Sequence, residues 1–191
     1  RLMYRLYRHP LVLFGLGPGY LFFLQNRFPL GLAGQAKYWA SSMGTNAVIF
    51  LALAIMFYFG GAMPILLIFL PSSFLAATAG VWLFYVQHQF ETAHWEDDAD
   101  WDLHDAAFHG SSHYVLPPVL QWLSANIGIH HVHHLYSRIP FYRLPEVLRD
   151  HRDLAATNRM TIRESLANAR LHLWDEKSKR LLSFAQARAV T

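Results

Sequence analysis

Five consecutive residues, His130-His131-Val132-His133-His134, put four imidazoles into little more than one helical turn. Side chains three and four positions apart share a helix face. On a helix, His130, His133 and His134 therefore converge while His131 points elsewhere. Neutral imidazole suits zinc, copper, iron and nickel alike. A soluble core rarely gathers groups that titrate near neutrality and each demand a polar partner, so the pattern describes a metal-binding surface. The spacing leaves the metal open. The chain has no cysteine, which excludes disulfides, zinc ribbons, iron–sulfur clusters and thiol nucleophiles together. It has twelve histidines, and all but His9, His151 and His172 fall between His88 and His134.

The other histidines are weaker candidates. His88 closes a long apolar run, and an ionisable residue at such a boundary is a functional candidate in its own right. Glu91-x-x-His94 has the spacing of the Glu-x-x-His pairs of soluble di-iron bundles, but those need a second pair, which the sequence lacks. His104, His109 and His113 precede Pro117 in a polar stretch and are expected as surface or supporting groups. Nothing in the sequence around His9, His151 or His172 singles them out.

The elements that position these residues follow from charge. The 191 residues are 53% hydrophobic, 15% aromatic and only 15% charged, against about 25% charged in ordinary soluble domains. Such a composition excludes a disordered chain. Lysine and arginine stand at positions 1, 5, 8, 27 and 37 and then not until Arg138; the first acid is Glu91. The stretch Tyr38–Phe90 thus carries no charge. Nucleic-acid binders gather their bases on a polar face, whereas here the bases flank an apolar block. No nucleic-acid partner is expected, and the net charge of +3 fits cytoplasmic segments beside a bilayer.

Residues 41–59 and 64–87 are each long enough to cross the membrane as a helix. Gly60-Gly61 makes the turn between them, Pro64 opens the second, and the hydroxyls after Pro71 can satisfy backbone groups freed there. The alternative is a pair of buried helices in a soluble protein. A hairpin returns the chain to its starting side. Residues 1–40 are expected to be cytoplasmic or interfacial, with the broken apolar piece Pro10–Gln25 lying in the interface or re-entering it. Residues 88–191 are expected as a cytoplasmic cap. In that cap Glu91–Asp105 reads as a solvated acidic loop, Leu116–Ile129 as holding a short helix, and Pro145–His151 and Thr161–Leu182 as charged helices. Thr161-x-x-Glu164 makes a capping box, and Trp95, Trp101, Trp122 and the tyrosines suit an interfacial belt. The fold class is all-α: a membrane helical hairpin with a cytoplasmic, histidine-rich helical cap.

His130-x-x-His133-His134, continued as Leu-Tyr-Ser-Arg-Ile-Pro140, resembles the third histidine box of membrane fatty acid desaturases. The resemblance extends through Tyr85-Val-Gln-His88, Trp101-Asp102, Gly110-Ser-Ser-His-Tyr-Val-Leu-Pro117 and Asn126-Ile-Gly-Ile-His130, and is strongest to bacterial members of the acyl-lipid, omega-6 (Δ12-type) branch. It implies a multi-pass protein of the bacterial inner membrane with its histidine-rich part cytoplasmic. It implies a non-haem di-iron centre, dioxygen as co-substrate, an acyl-lipid substrate among membrane lipids, and an external electron donor such as ferredoxin. Carried over by residue, His130, His133 and His134 are the third-box ligands and His88 the additional one. The family's first two boxes have no counterpart here, since His9 is the sole histidine before His88, and Arg1–His9 resembles the stretch that follows the second box. The chain, which begins at Arg1, is therefore expected to be the C-terminal part of one desaturase domain and inactive alone. A membrane hydroxylase on the same scaffold and a non-catalytic metal carrier are the alternatives. Product analysis separates the first, and metal stoichiometry the second.

Overall fold

The uncharged sequence becomes long helix. The computed structural model describes residues 2–32, 35–93 and 102–190, and the chain divides into two units, Arg1–Trp82 and Leu83–Thr191. His94, Trp95 and Trp101 lie outside the described residues.

In the first unit, α1 (Leu2–Tyr7) leads through a π-helical turn, Val12–Leu16, into α2 (Gly17–Phe23). A second π turn, Ile65–Phe69, stands directly ahead of α4 (Leu70–His88). Both have one cause in the sequence. A proline ring cannot donate a backbone hydrogen bond and crowds the carbonyl four residues earlier. Pro18 and Pro71 each follow a π turn that contains that carbonyl, at Phe14 and Leu67. The wider turn absorbs the insult. After Pro71 the Ser72 hydroxyl donates to the Ile68 carbonyl at 2.6 Å, as its position suggested. Pro10–Gln25 is thus helical through Phe23 and breaks at Leu24 (φ −124°, ψ −68°).

Between them runs α3 (Ala36–Gly60), stopped by Gly61 in the left-handed region at φ +66°. Ala36–Gly60 has 25 residues and mean hydropathy 1.8; Ile65–His88 has 24 and 1.9. At 1.5 Å per residue each reaches about 36 Å, beyond the roughly 30 Å hydrocarbon layer. A soluble protein's core helix buries its apolar face. Here none of the most apolar window of the first is buried and 6% of the second, with Phe50 75% and Leu67 70% exposed. Among the described residues two helices are therefore long and apolar enough to cross a membrane, and neither is buried by the rest of this chain. Both run past the expected bounds, α3 beginning at Ala36 and α4 ending on His88 itself.

In the second unit, α5 (Leu103–His109) is capped by Asp102, whose carboxylate accepts from the backbone N–H groups of His104 and Asp105 at 2.9 and 3.0 Å. Those bonds hold its carboxyl below the usual range. The end of the expected acidic loop is thus a helix start. Then come β1 (His113–Val115), α6 (Pro118–Leu123), α7 (His130–Leu135), α8 (Leu144–Asp150) and α9 (Arg152–Ala156). β2 (Arg159–Thr161) pairs in parallel with β1, His113 opposite Arg159 and Val115 opposite Thr161. Ile129, Val132 and Leu144 form the buried core beneath α7.

The capping box is formed. Thr161 Oγ1 accepts from the Glu164 N–H, and the Glu164 carboxylate accepts from the Thr161 N–H at 2.7 Å, opening α10 (Ile162–Asn168). The helix expected to run on to Leu182 stops at Asn168. β3 (Leu171–Asp175) and β4 (Arg180–Ser183) follow as an antiparallel hairpin, Trp174 opposite Leu181, and then α11 (Phe184–Val190). The charges that read as a helix face instead make the turn. Asp175 accepts from the N–H of Ser178 at 2.9 Å, and Lys179 takes φ +48°. Among the described residues the fold is dominated by helix, with two short two-stranded sheets.

Candidate metal centre

α4 delivers His88 as its last residue, and α7 delivers His130, His133 and His134. The start of α7 is fixed by β1. Tyr114 N–H donates to the Gly128 carbonyl at 2.8 Å, and a side chain at Gly128 would meet the Tyr114 carbonyl at 2.3 Å, so only glycine fits.

Three ring nitrogens converge. His130 Nε2 lies 3.0 Å from His134 Nε2 and 3.3 Å from His88 Nε2, and His88 Nε2 lies 3.2 Å from His134 Nε2. Each such nitrogen either donates or accepts, so among three at least one pair must be alike. Hydrogen bonding cannot satisfy the triangle. His88 Nδ1–H donates to the Phe84 carbonyl at 2.9 Å, which leaves the Nε2 of a neutral His88 ring a bare lone pair facing inward. Burial, then the neighbouring His88, His134, His133 and His131, lower the His130 pKa to about 3. His134 is lowered by burial and then by His88 and His133. Neutral rings present lone pairs. Nitrogens about 2.1 Å from one ion, at angles between square and tetrahedral, stand roughly 3.0–3.4 Å apart, and these three match. A divalent first-row cation fits the donor set.

His133 is brought near but stands outside that triangle. Its ring stacks on His130 at 5.7 Å between centroids and lies 6.0 Å from His134. His131 faces the other way, fully buried, with Nε2–H donating to the Leu154 carbonyl at 2.9 Å. His113 is buried as well, its Nδ1–H donating to the Ala155 carbonyl at 3.0 Å. It supports α9 and stands outside the triangle. Exposed His109 pairs with Asp105 at 3.5 Å. Glu91 turns to Arg180 at 3.3 Å instead of the metal triangle. A cavity of about 250 Å³ opens beside His88 and His134, walled by Leu103, Ala106, Ala107, Gly110 and Ser111. Sequence reasoning missed α5 as this wall; the small residues Ala106, Ala107 and Gly110 at helical spacing were the available signal.

Residues 1–166 match the fatty acid desaturase family. The chain belongs to that family. It is 41% identical over 184 residues to the "Fatty acid desaturase" of Bacillus subtilis (strain 168), a match covering 96% of this chain and 52% of that protein. The chain thus spans about half the length of the curated relative it matches. Within the desaturase match lie all four histidines carried over above, and outside it lie β3, β4 and α11.

Proposed function

We propose that this chain is the C-terminal part of one membrane fatty acid desaturase domain, residues 1–191, that introduces a cis double bond into the acyl chain of a lipid. The convergence of His88, His130 and His134 within 3.0–3.3 Å carries the reading. Those three nitrogens hold one iron of a non-haem di-iron centre. His133, which stands outside the triangle, would serve the second together with histidines supplied by the rest of the domain. Bound there, the iron pair supplies the oxidising power by which dioxygen, two electrons and two protons take two hydrogens from adjacent acyl carbons and leave two waters. The chain's own part is to hold His88, His130 and His134 facing one another, with burial favouring the neutral rings of His130 and His134, and to hold the cavity walled by Ala106, Ala107 and Gly110 open beside them. An apolar surround protects the oxidant from water.

In this reading α3 and the helical run ending in α4 form a membrane hairpin, the protein crosses a bacterial inner membrane more than once, and the histidine-rich part faces the cytoplasm. An external donor such as ferredoxin supplies the electrons. The test is expression in a desaturase-deficient host followed by acyl-chain analysis. The complete protein should yield a new double bond and this chain alone none. A hydroxylated chain would instead make it a hydroxylase, and loosely held zinc or copper in place of two irons would make it a metal carrier.

A further inference from the structure

His88 and His130 belong to elements 42 residues apart, and the loop leading into His130 is tied to β1 at Gly128 and Ile129 but not, through them, directly to α4. Ala125 and Asn126 are both left-handed, at φ +53° and +55°. One side chain spans the gap. Gln87, 1% exposed, sits directly before His88, and its Nε2–H donates at 2.8 Å to the carbonyl of Ile127, three residues before His130. Its own backbone carbonyl accepts from the Ser112 N–H at 3.0 Å, and the Ser112 hydroxyl donates to the Val86 carbonyl at 3.3 Å. Gln87 is therefore held at its backbone while its amide grips the loop that launches α7.

We propose that Gln87 is a positioning residue that sets the separation of His88 from His130 and His134 and so the fit of their triangle to an ion. Hydrogen bonds cannot close every edge of this triangle, so a fixed frame keeps its corners together before a cation arrives. Gln87 supplies the direct side-chain link in that frame between the two ligand-bearing elements. Groups that orient ligands from outside the coordination shell typically contribute roughly 10–100-fold to metal affinity. The inference rests on the metal-site reading above.

The test uses the complete protein carrying this chain, purified in detergent and titrated with cobalt(II) while the ligand-field absorption bands and circular dichroism are followed. Gln87→Met keeps length and apolar volume but cannot donate. Gln87→Asn keeps the amide but falls one methylene short. Each is expected to fold with wild-type helicity, to bind one of the two cobalt ions about 10–100-fold more weakly, and to show altered bands for that ion. A merely structural glutamine would lower the melting temperature and leave the bands of the folded protein unchanged. Wild-type affinity and bands in either folded variant would overturn the proposal. So would failure of both to fold, because Gln87 would then belong to the fold and not to the spacing. Absence of cobalt binding in the wild type would instead overturn the metal reading itself.

Discussion

His130 and His131 are adjacent in sequence and opposite in role: the first turns its Nε2 to His88 and His134, the second donates its Nε2–H to the Leu154 carbonyl. Helical geometry separates neighbours by about 100°, so one short helix presents a face toward His88 and an anchoring face at once. Burial lowers both pKa values, to about 3 and about 4.

Replacing His88, His130 or His134 by alanine in the complete protein is expected to remove one bound ion per molecule and to cost activity beyond the roughly 100-fold typical of outer partners. His133→Ala is expected to remove the other ion. Metal analysis of the purified variants checks both. Loss of the same ion in all four would mean that His133 shares the triangle.

His131→Leu should behave differently. It leaves the half-buried Leu154 carbonyl with only the Thr157 N–H at 3.3 Å and is expected to cost about 0.5–1.5 kcal/mol of stability, read as a lowered melting temperature, while both ions stay bound. His131→Asn, which can still donate, should fall between.

Gly128→Ala tests the seat of α7. A methyl there meets the Tyr114 carbonyl at 2.3 Å, and both partners are backbone, so β1 or α7 must move. The expected cost is about 1–3 kcal/mol from overpacking, together with a broadened metal signature. Gly110 makes a similar demand just past the end of α5, where a Cβ would meet the Ala106 carbonyl at 2.5 Å.

Ala106→Leu fills the cavity beside His88 and His134 without touching a ligand. It is expected to lower turnover while leaving two ions bound, which activity and metal assays on one preparation would show. Unchanged turnover would mean that the cavity is not reaction space.

Thr161→Ala removes the cap hydroxyl of α10 and is expected to cost about 1 kcal/mol; Thr161→Ser should restore it. The Glu164 carboxyl is held below its ordinary pKa of 4.5 by the Thr161 backbone and hydroxyl. Its support is therefore present above pH 4.5 and lost as the pH falls through the lowered folded value. Thermal melts of wild type and Thr161→Ala should draw closer in that acidic range without meeting, because the Glu164 N–H still donates to the wild-type hydroxyl.

The shared face of His130 and His134 and the two long helices were legible because both are local patterns, imidazoles four residues apart and an uncharged run from Tyr38 to Phe90, whereas His133, expected on the same face, stands outside the triangle. The Thr161–Glu164 box was legible for the same reason. What stayed hidden depends on distant partners. β1 and β2 have three residues each, too few for a period to show, and exist because Tyr114 meets Met160. Leu171–Asp175 looked like helix until Leu181 lay across from Trp174. Gln87 reads as the polar end of an apolar helix, and its partner Ile127 lies 40 residues on.

The hairpin of β3 and β4 reaches back to the turn that carries His88. The Tyr85 hydroxyl donates to the Leu171 carbonyl at 2.9 Å, 86 residues later, and Leu181 N–H donates to the Glu91 carbonyl at 3.0 Å. During synthesis every histidine of the triangle has left the ribosome before either of these bonds can form. A message cut short, or a protease clipping ahead of Leu171, leaves a product with all its ligands in sequence and one wall of their mounting gone. Such a product would pass for intact by its motifs, and only its grip on the metal would give it away.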